Sequence, residues 1–296
     1  MACNLSGPRR PHVGAARDHV LGVFAVTGRA EAIKAGGKVV KNVTGYDLPK
    51  LMTGSFGTLA VLTEVTVKVL PRPRKTRTVL AFGLDPRGAG QAMAAVMAGP
   101  LEPSAVAYLP PAVAARSRVA YVAGAGASVL AIRLEGPERS VLARTGTMRA
   151  LLGRLGAVEE LHGHNSRVLW DEVGFGGLLA EPAERPVWRL TIPPAAAPGV
   201  LEGLDARGAT AYLDWAGGLV WAAVGAGLDD AGAGLVRGLA RPAGGIAHLI
   251  RAPAEARAAV DVFEPLDPAL AALTRRVKDA FDPRAVLEPG RMFAGV

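Results

Sequence analysis

The chain has 296 residues, a formal net charge of +8 and a single cysteine, Cys3. This length predicts one large domain or two ordinary ones, and we expect neither a membrane span of roughly 20 apolar residues nor a secretory signal. One cysteine excludes an internal disulfide, a thiolate zinc site and an iron–sulfur cluster held by this chain alone. A reducing, cytoplasmic setting is therefore expected.

The positive charge does not by itself predict a nucleic-acid-binding protein. Only seven of the 34 basic residues are lysines, the arginines are scattered, and aromatic residues make up 5% of the chain. Nucleic-acid surfaces show basic clusters with interleaved stacking residues. Six of the lysines fall within residues 34–77, so a local basic face there could meet an anionic cofactor or an acidic partner.

The first seventy residues predict a β-rich region. Strands are expected over residues 18–26 and 30–37, with residues 38–43 following. Asp47 is predicted to cap a short helix that ends at Gly54, because a proline then falls at the second helical position, where no intrahelical N–H is needed.

A half-buried strand is expected next, over residues 64–70. Val65, Val67 and Val69 alternate with polar residues, which places the three valines on one face. The sequence PRPRKTR at residues 71–77 has two prolines and four basic residues and predicts a linker.

The region after the linker predicts a duplicated β-α-β-β-α-β order, the split βαβ pattern. Two such units could form one sheet with helices on one face, joined by an extra segment at residues 164–175. The predicted strands cover residues 78–84, 104–109, 128–136, 157–162, 186–192, 209–215, 218–225 and 245–250, and the predicted helices cover residues 86–98, 137–153, 195–205, 229–240 and 268–281.

Two glycine-containing segments are candidates for ligand contact. In GPRRPHVGAARDHVLG, Arg9, Arg10 and Arg17 surround Asp18 in sequence, which suits a pyrophosphate or carboxylate but also an ordinary solvated loop. In KNVTGYDLPKLMTGSFGTL, the glycines suit backbone that lies against a flat ring, or they merely close turns.

Other motifs favour ordinary structure. The glycine-rich sequences YVAGAGASV and VGAGLDDAGAG lack the spacing of a phosphate loop and predict turns. His162 and His164 in HGHN could ligate a metal, but no carboxylate or third histidine lies at a familiar spacing. A catalytic thiol at Cys3 has no supporting partner in the sequence.

Several of these motifs together resemble a known family. The sequences NLSGPRRPHVGAARDHVLGV and GGKVVKNVTGYDLPKLMTGSFGTLAVLTEVTVKVLPRP resemble the second half of the PCMH-type FAD-binding domain of vanillyl-alcohol-oxidase-type flavoproteins. Within that superfamily, these motifs are most similar to those of the FAD-binding E subunits of glycolate oxidase. FDPRAVLEPGRMF resembles the C-terminal ending common to that superfamily.

The resemblance implies an α+β fold with three parts. Residues 1–73 would form part of an FAD-binding domain, residues 74–280 a cap domain with a helix-backed antiparallel sheet, and residues 281–296 a segment returning to the FAD domain. It further implies that FAD is held by two backbone segments, with Asp47 pinning the second. The implied cofactor-binding residues are Cys3, Asn4, Leu5, Ser6, Gly7, Asp47, Phe56, Gly57, Thr58, Leu59, Ala60, Val61 and Leu62.

The chain departs from this family in two respects. The family normally has glycine at the position of Ala60 and often an acidic residue at that of Phe56. The family's first FAD subdomain, which carries the pyrophosphate-binding loop, has no counterpart in these 296 residues, so we expect a fragment, a misassigned start or a truncated relative.

The resulting hypothesis is an FAD-dependent oxidoreductase subunit of a glycolate-oxidising complex. A small 2-hydroxy acid would be the substrate, and a catalytic flavin subunit and an iron–sulfur subunit would be partners, with localisation in the cytoplasm or at the inner membrane through those partners. The alternatives are a non-catalytic scaffold subunit without flavin, and a ferredoxin-like ligand-binding module whose glycines only close turns.

Overall fold

The computed structural model describes residues 1–40, 45–294 and 296. The chain divides into two compact units. Unit 1 comprises Met1–Ser6, Gly14–Pro71 and Phe263–Val296, and unit 2 comprises Gly7–Val13 and Arg72–Val262. Unit 2 therefore ends well before the predicted residue 280, because the last long helix belongs to unit 1.

Eleven strands and twelve α-helices, several of a single turn, occur in the described part of the chain. The strands are β1 Val20–Thr27, β2 Ala32–Gly36, β3 Ala60–Val67, β4 Lys75–Phe82, β5 Ala105–Leu109, β6 Val129–Gly136, β7 Val158–His162, β8 Val187–Thr191, β9 Thr210–Asp214, β10 Leu219–Ala223 and β11 Ile246–Arg251. The helices are α1 Arg10–Val13, α2 Ala16–His19, α3 Leu48–Met52, α4 Pro86–Ala98, α5 Pro111–Ala114, α6 Ala120–Ala123, α7 Glu138–Leu152, α8 Gly163–Val173, α9 Ala197–Asp205, α10 Ala233–Ala240, α11 Ala254–Ala259 and α12 Pro268–Phe281.

Unit 1 contains an antiparallel three-stranded sheet in the order β2-β1-β3. Its apolar cluster consists of Val20, Val23, Ala25, Met52 and Ala60, so α3 covers one face of the sheet. The predicted cap of α3 is confirmed, because the Asp47 carboxylate accepts a hydrogen bond from the backbone N–H three residues later.

The predicted strand at residues 64–70 is wrong in its bounds. β3 begins at Ala60 and ends at Val67. Two register shifts between β1 and β3 break the simple alternation. Val65 is half-buried, whereas Val67 and Val69 are exposed, with Val69 at 80%. Of the predicted extension after β2, residues 38–40 form no strand, and residues 41–43 lie outside the described residues.

Unit 2 confirms the predicted duplication. One eight-stranded sheet has the order β11-β8-β10-β9-β5-β6-β4-β7, and each half contributes four strands with the same internal order. The halves join through β5 and β9, where Tyr108 pairs with Leu213. Two successive β-α-β-β-α-β units therefore form one sheet, and the α+β fold class is confirmed.

Both faces of this sheet are covered, which the sequence did not predict. Helices α4, α7, α9 and α10 contribute to the apolar cluster on one face. Residues of α5, α6 and α8 pack into a second cluster on the opposite face. The predicted joining segment at 164–175 is thus largely α8, and its Trp170 Nε1 donates to Thr78 Oγ1 of β4 at 2.8 Å.

Candidate cofactor site

The structure brings together the two segments that the resemblance singled out within unit 1. The backbone N–H of Phe56 donates to the carbonyl of Ala2 at 2.9 Å. Gly54 also lies against the first segment, since a Cβ built on it would be 3.1 Å from Asn4 Cβ. Two chain segments about fifty residues apart thus form one backbone surface.

The polar side chains of the first segment are used within the protein. Asn4, at φ 45°, accepts a hydrogen bond at Oδ1 from the N–H of Arg17 at 3.0 Å. Ser6 Oγ accepts one from the N–H of Ala16 at 3.2 Å. These bonds fix the backbone of residues 4–6. The groups of this segment that remain available to contact a ligand are the backbone and the half-buried Cys3 side chain.

Hydroxyl groups hold the second segment in the same way. Thr53 Oγ1 donates to the carbonyl of Pro49 at 2.7 Å, and Ser55 Oγ donates to that of Met52 at 2.8 Å. Thr58 Oγ1 donates to the carbonyl of Ser55 at 2.7 Å. The chain turns between these anchors through Phe56 at φ 55° and Gly57 at φ 83°.

The backbone donors at this surface fit a cofactor with anionic and carbonyl oxygens. The N–H groups of Cys3, Leu5, Ser6 and Gly57 form no hydrogen bond within the described part of the chain. Clustered backbone N–H groups are a common way to bind oxyanions and ring edges. The nearest atom to a Cβ built on Gly57 is Glu288 Cγ at 3.7 Å, so the positive φ, rather than crowding, is what requires glycine here.

The remaining predicted contact residues lie in different surroundings. Leu59 and Ala60 are buried, and Ala60, Val61 and Leu62 pair with β1, so their backbone belongs to the sheet. Val61 presents a side chain that is 54% exposed. Gly7 falls in unit 2, where its carbonyl accepts from an indole N–H.

Asp47 acts on its own helix rather than on the loop. A hydrogen bond from the Lys50 side chain, opposed by partial burial, lowers the pKa of Asp47. Within the described residues Asp47 makes no hydrogen bond to residues 54–62. No contact in the described residues therefore supports the prediction that Asp47 holds the loop directly.

A buried lysine, which sequence reasoning missed, holds the second segment instead. Lys278 of α12 is 3% exposed. Its Nζ donates to the carbonyls of Thr58 and Leu287 at 2.7 and 2.6 Å, and to Asp282 Oδ2 at 2.7 Å. All three ammonium protons have acceptors, and the site loop is thereby joined to the C-terminal segment of unit 1.

The buried Asp282 side chain forms hydrogen bonds with the backbone of its own motif, FDPRAVLEPGRMF. Its carboxylate accepts from the N–H groups of Val286 and Leu287 at 3.1 and 2.8 Å. Burial alone would raise the pKa of Asp282, but the hydrogen bonds from Lys278 and these two N–H groups hold it below the ordinary value. Gly28 lies against this carboxylate, and a Cβ there would overlap it. Lys278 and Asp282 lie four residues apart at the end of a helix, and this spacing was the sequence signal that could have predicted their ion pair.

Charged side chains of the segment GPRRPHVGAARDHVLG have partners within their own units. Arg9 forms an ion pair with Glu135, and Arg10 lies over the ring of Trp215, both within unit 2. Asp18 accepts from the backbone N–H of Ala15 at 2.8 Å. A pyrophosphate or carboxylate ligand at this segment stays a prediction.

The two histidines considered as metal ligands lie in different elements of secondary structure. His162 Nε2 lies 3.3 Å from Glu160 Oε1 at the end of β7, and His164 lies in α8. Among the described residues no group of three or more His, Cys, Asp or Glu side chains could hold a metal ion. Likewise, no helix in the described part of the chain is long and apolar enough to cross a membrane.

Comparison with known proteins identifies the family. The chain is 35% identical over 294 residues to glycolate oxidase subunit GlcE of Escherichia coli strain K12, covering 99% of this chain and 71% of that protein. The chain belongs to the GlcE family of glycolate oxidase subunits. The resemblance seen in the sequence is thereby confirmed. No protein-family model matches.

Two further similarities place the GlcE family among related proteins. Over 106 residues the chain is 37% identical to glycolate oxidase subunit GlcD of Bacillus subtilis strain 168, covering 36% of this chain and 23% of GlcD. A solved structure of alkyldihydroxyacetonephosphate synthase matches with a TM-score of 0.61 at 15% identity, covering 98% of this chain and 57% of that one. The structural match shows the fold of the chain, while the sequence match shows the family.

Proposed function

We propose that this chain is the FAD-binding subunit of a glycolate oxidase complex and that unit 1 contributes one part of the flavin site. The observation that carries the proposal is the joined backbone surface of residues 3–6 and 54–58, with unused N–H donors at Cys3, Leu5, Ser6 and Gly57. Membership of the GlcE family supports the same assignment.

The residues have distinct tasks in this proposal. Leu5, Ser6 and Gly57 would direct backbone N–H groups to the cofactor, and Val61 would offer an apolar surface beside it. Lys278 would fix the loop through the carbonyl of Thr58. When bound, FAD would supply the redox chemistry, accepting a hydride from a 2-hydroxy acid or passing electrons onward. We assign no general base in this proposal.

The proposal extends to partners. The relatives named GlcE and GlcD, both subunits of glycolate oxidase, support assembly with other chains. We propose a catalytic flavin subunit and an iron–sulfur subunit as these partners, because a single cysteine cannot ligate a cluster. Any association with the inner membrane would run through those partners.

The 296 residues alone are expected to bind FAD weakly. None of the residues assigned to the proposed site corresponds to the pyrophosphate-binding loop of the family's first FAD subdomain. Each missing charge-assisted hydrogen bond is worth roughly 1.5–3 kcal/mol, which corresponds to about one to two decades of affinity. Supplying the family's first FAD subdomain in trans should restore yellow protein.

Substitution of two glycines tests the site in that restored protein. Gly57→Val should abolish flavin binding, measured by quenching of flavin fluorescence, because a β-branched side chain resists φ 83° and occupies the cofactor surface. Gly45→Val is the matched control, since Gly45 also has a positive φ of 75° but a Cβ built on it would meet no atom within 4 Å. Equal FAD affinity in the two variants, or a colourless restored complex, would favour a scaffold role instead.

A further inference from the structure

The C-terminal segment of unit 1 brings a carboxylate side chain to the candidate cofactor surface. Outside its own chain neighbours, the nearest atom to a Cβ built on Gly57 is Glu288 Cγ, at 3.7 Å. The backbone N–H of Gly57 is one of the donors that have no acceptor in the described part of the chain. A hydrogen-bond donor and a side chain that carries a strong acceptor are therefore neighbours on this surface.

Buried contacts fix the backbone that leads into Glu288. The N–H of Leu287 donates to Asp282 Oδ2 at 2.8 Å, and its carbonyl accepts from Lys278 Nζ at 2.6 Å. The same ammonium donates at 2.7 Å to the carbonyl of Thr58, the residue that follows the glycine. One buried lysine thus holds both chain segments at the point where the donor and the carboxylate side chain meet.

The turn that carries Glu288 is strained. Glu288 has φ 45° and Ala285 has φ 49°, a left-handed conformation that non-glycine residues rarely adopt. Strain of this kind persists only where the surrounding structure maintains it, and it is common at ligand-binding sites. Here the two hydrogen bonds of Leu287 maintain it.

The Glu288 carboxylate is available to a ligand. Its side chain is 56% exposed, and Arg291 Nη1 lies 4.0 Å from its Oε2, too far for a hydrogen bond. Ion pairs between exposed side chains are weak and do not consume the acceptor capacity of a carboxylate. Among the described residues, no group donates a hydrogen bond to this carboxylate.

This combination selects one part of FAD over another. A carboxylate repels the negative charge of a pyrophosphate, so an anion is disfavoured beside Glu288. A neutral ring edge that carries an N–H next to an acceptor atom fits, because the acceptor meets the Gly57 N–H and the ring N–H meets the carboxylate. FAD has two such edges, the lactam edge of the flavin ring and the amino-substituted edge of adenine.

We propose that Glu288 is a cofactor-binding residue that acts with the N–H of Gly57 to hold a neutral ring edge of FAD. The pyrophosphate then lies away from Gly57. This inference rests on the proposed function, because it assigns one part of the cofactor to one end of the same surface.

FAD titration of the chain, with the family's first FAD subdomain supplied in trans, tests the residue. Glu288→Ala should weaken FAD binding by about tenfold to a hundredfold, the range of one charge-assisted hydrogen bond. Glu288→Gln should have a smaller effect, because its amide oxygen still accepts a hydrogen bond. Asp279→Ala removes an exposed carboxylate of α12 and should leave the affinity unchanged. Tighter FAD binding in Glu288→Ala would place the pyrophosphate beside residue 288 and overturn the proposal.

Two neutral fragments of the cofactor separate a direct contact from a general loosening of unit 1. Riboflavin carries the flavin ring without adenine, and adenosine carries adenine without the flavin ring. Glu288→Ala should weaken the competition of one fragment with FAD and spare the other, and the affected fragment identifies the ring. An equal change in both fragments, or no change in either, would refute the contact.

The same titrations distinguish failure of this inference from failure of the proposed function. If the wild-type chain binds FAD and Glu288→Ala binds it equally tightly, only the role of Glu288 is refuted. If the wild-type chain binds no FAD even with the subdomain supplied, both the flavin site and the role of Glu288 are refuted.

Discussion

The two units differ in the kind of interaction that stabilises them. Unit 2 has a sheet with apolar clusters on both faces, formed from long runs of buried strand residues. The apolar cluster described in unit 1 consists of Val20, Val23, Ala25, Met52 and Ala60, and Val61 and Phe24 are exposed on its sheet. Unit 1 relies more heavily on buried polar contacts, above all those of Lys278.

This difference explains where the candidate cofactor site lies. Segments that bind ligands are drawn from the less stable parts of a structure, because their donors must not be consumed by the fold. The loop at residues 54–58 has an apolar anchor in Phe56, whose ring packs edge-to-face against that of Phe263 with 4.9 Å between centroids. Its hydroxyl anchors and the Lys278 ammonium fix it while leaving backbone N–H groups available.

The largest expected effect is the loss of the buried ammonium. Lys278→Met should reduce the stability of unit 1 by about 3–5 kcal/mol, because it leaves the Asp282 carboxylate buried without its cation. The four tryptophans all lie in unit 2, so urea unfolding followed by tryptophan fluorescence should change little. Hydrogen exchange of residues 54–62 should become much faster. Lys50→Met, which removes an exposed cation, is the control, and equal exchange in both variants would contradict the comparison.

Gly28→Ala should have the next largest effect. The added Cβ would overlap the Asp282 carboxylate, and such overpacking typically destabilises by about 2 kcal/mol. Gly37→Ala adds the same group where no atom lies within 4 Å. Thermal melting followed by far-ultraviolet circular dichroism should separate them, and a shift of the same size in both would argue against a tight contact at Gly28.

The buried carboxyl of unit 2 predicts an opposite pH response to that of unit 1. Burial raises the pKa of Asp214 to about 8, so the folded state keeps a proton that the unfolded state releases above its ordinary pKa of about 3.9. Stability of unit 2 should therefore fall by up to about 1.4 kcal/mol per pH unit from there to about pH 8 and then level off. Asp214→Asn should remove this slope in tryptophan-monitored urea unfolding, and an unchanged slope would contradict a buried neutral carboxyl.

In unit 1 the sign is reversed. The pKa of Asp282 is lowered in the folded state, so its stabilising contribution is present above the unfolded pKa and is lost only as the pH falls through the folded value. The protection factors of unit 1, which compare each measured exchange rate with the intrinsic rate at the same pH, should accordingly fall only in acid. A fall in these protection factors above pH 6 in the wild-type chain, absent from Asp282→Asn, would contradict this assignment.

The smallest expected effect concerns the helix cap. Asp47→Ala should destabilise unit 1 by about 1 kcal/mol, the usual value of an N-cap side chain. Asp279→Ala, on the exposed surface of α12, should have little effect. The hydrogen-exchange rates of residues 48–53 measure the difference, and identical rates in the two variants would show that the cap is not stabilising.

The sequence predicted the features that depend on local patterns. Residues 86–98 and 268–281 were predicted as helices with the bounds observed, and the duplicated order of unit 2 follows from its alternating strands and helices. The Asp47 cap was predictable because the position of a proline fixes the helix start. These signals lie within a few residues of one another.

Features that depend on distant contacts could not be predicted in this way. Register shifts between β1 and β3 disturb the alternation before Val67, and β3 ends at Val67, so Val69 lies outside the strand. Lys278 looked like an ordinary helix-surface lysine, because its acceptor at Thr58 is 220 residues away. Arg9 and Arg10 lie close to Asp18 in sequence, but their partners are Glu135 and Trp215.

Hydrogen exchange of the chain with and without saturating FAD tests the central claim most directly. The account predicts slower exchange at Leu5, Ser6 and Gly57 when FAD is present, because their unused N–H groups would become hydrogen-bonded to the cofactor. The sheet of unit 2 should remain unchanged. Protection confined to unit 2, or no protection at saturating FAD even with the family's first FAD subdomain supplied in trans, would contradict the claim that these segments form part of the flavin site.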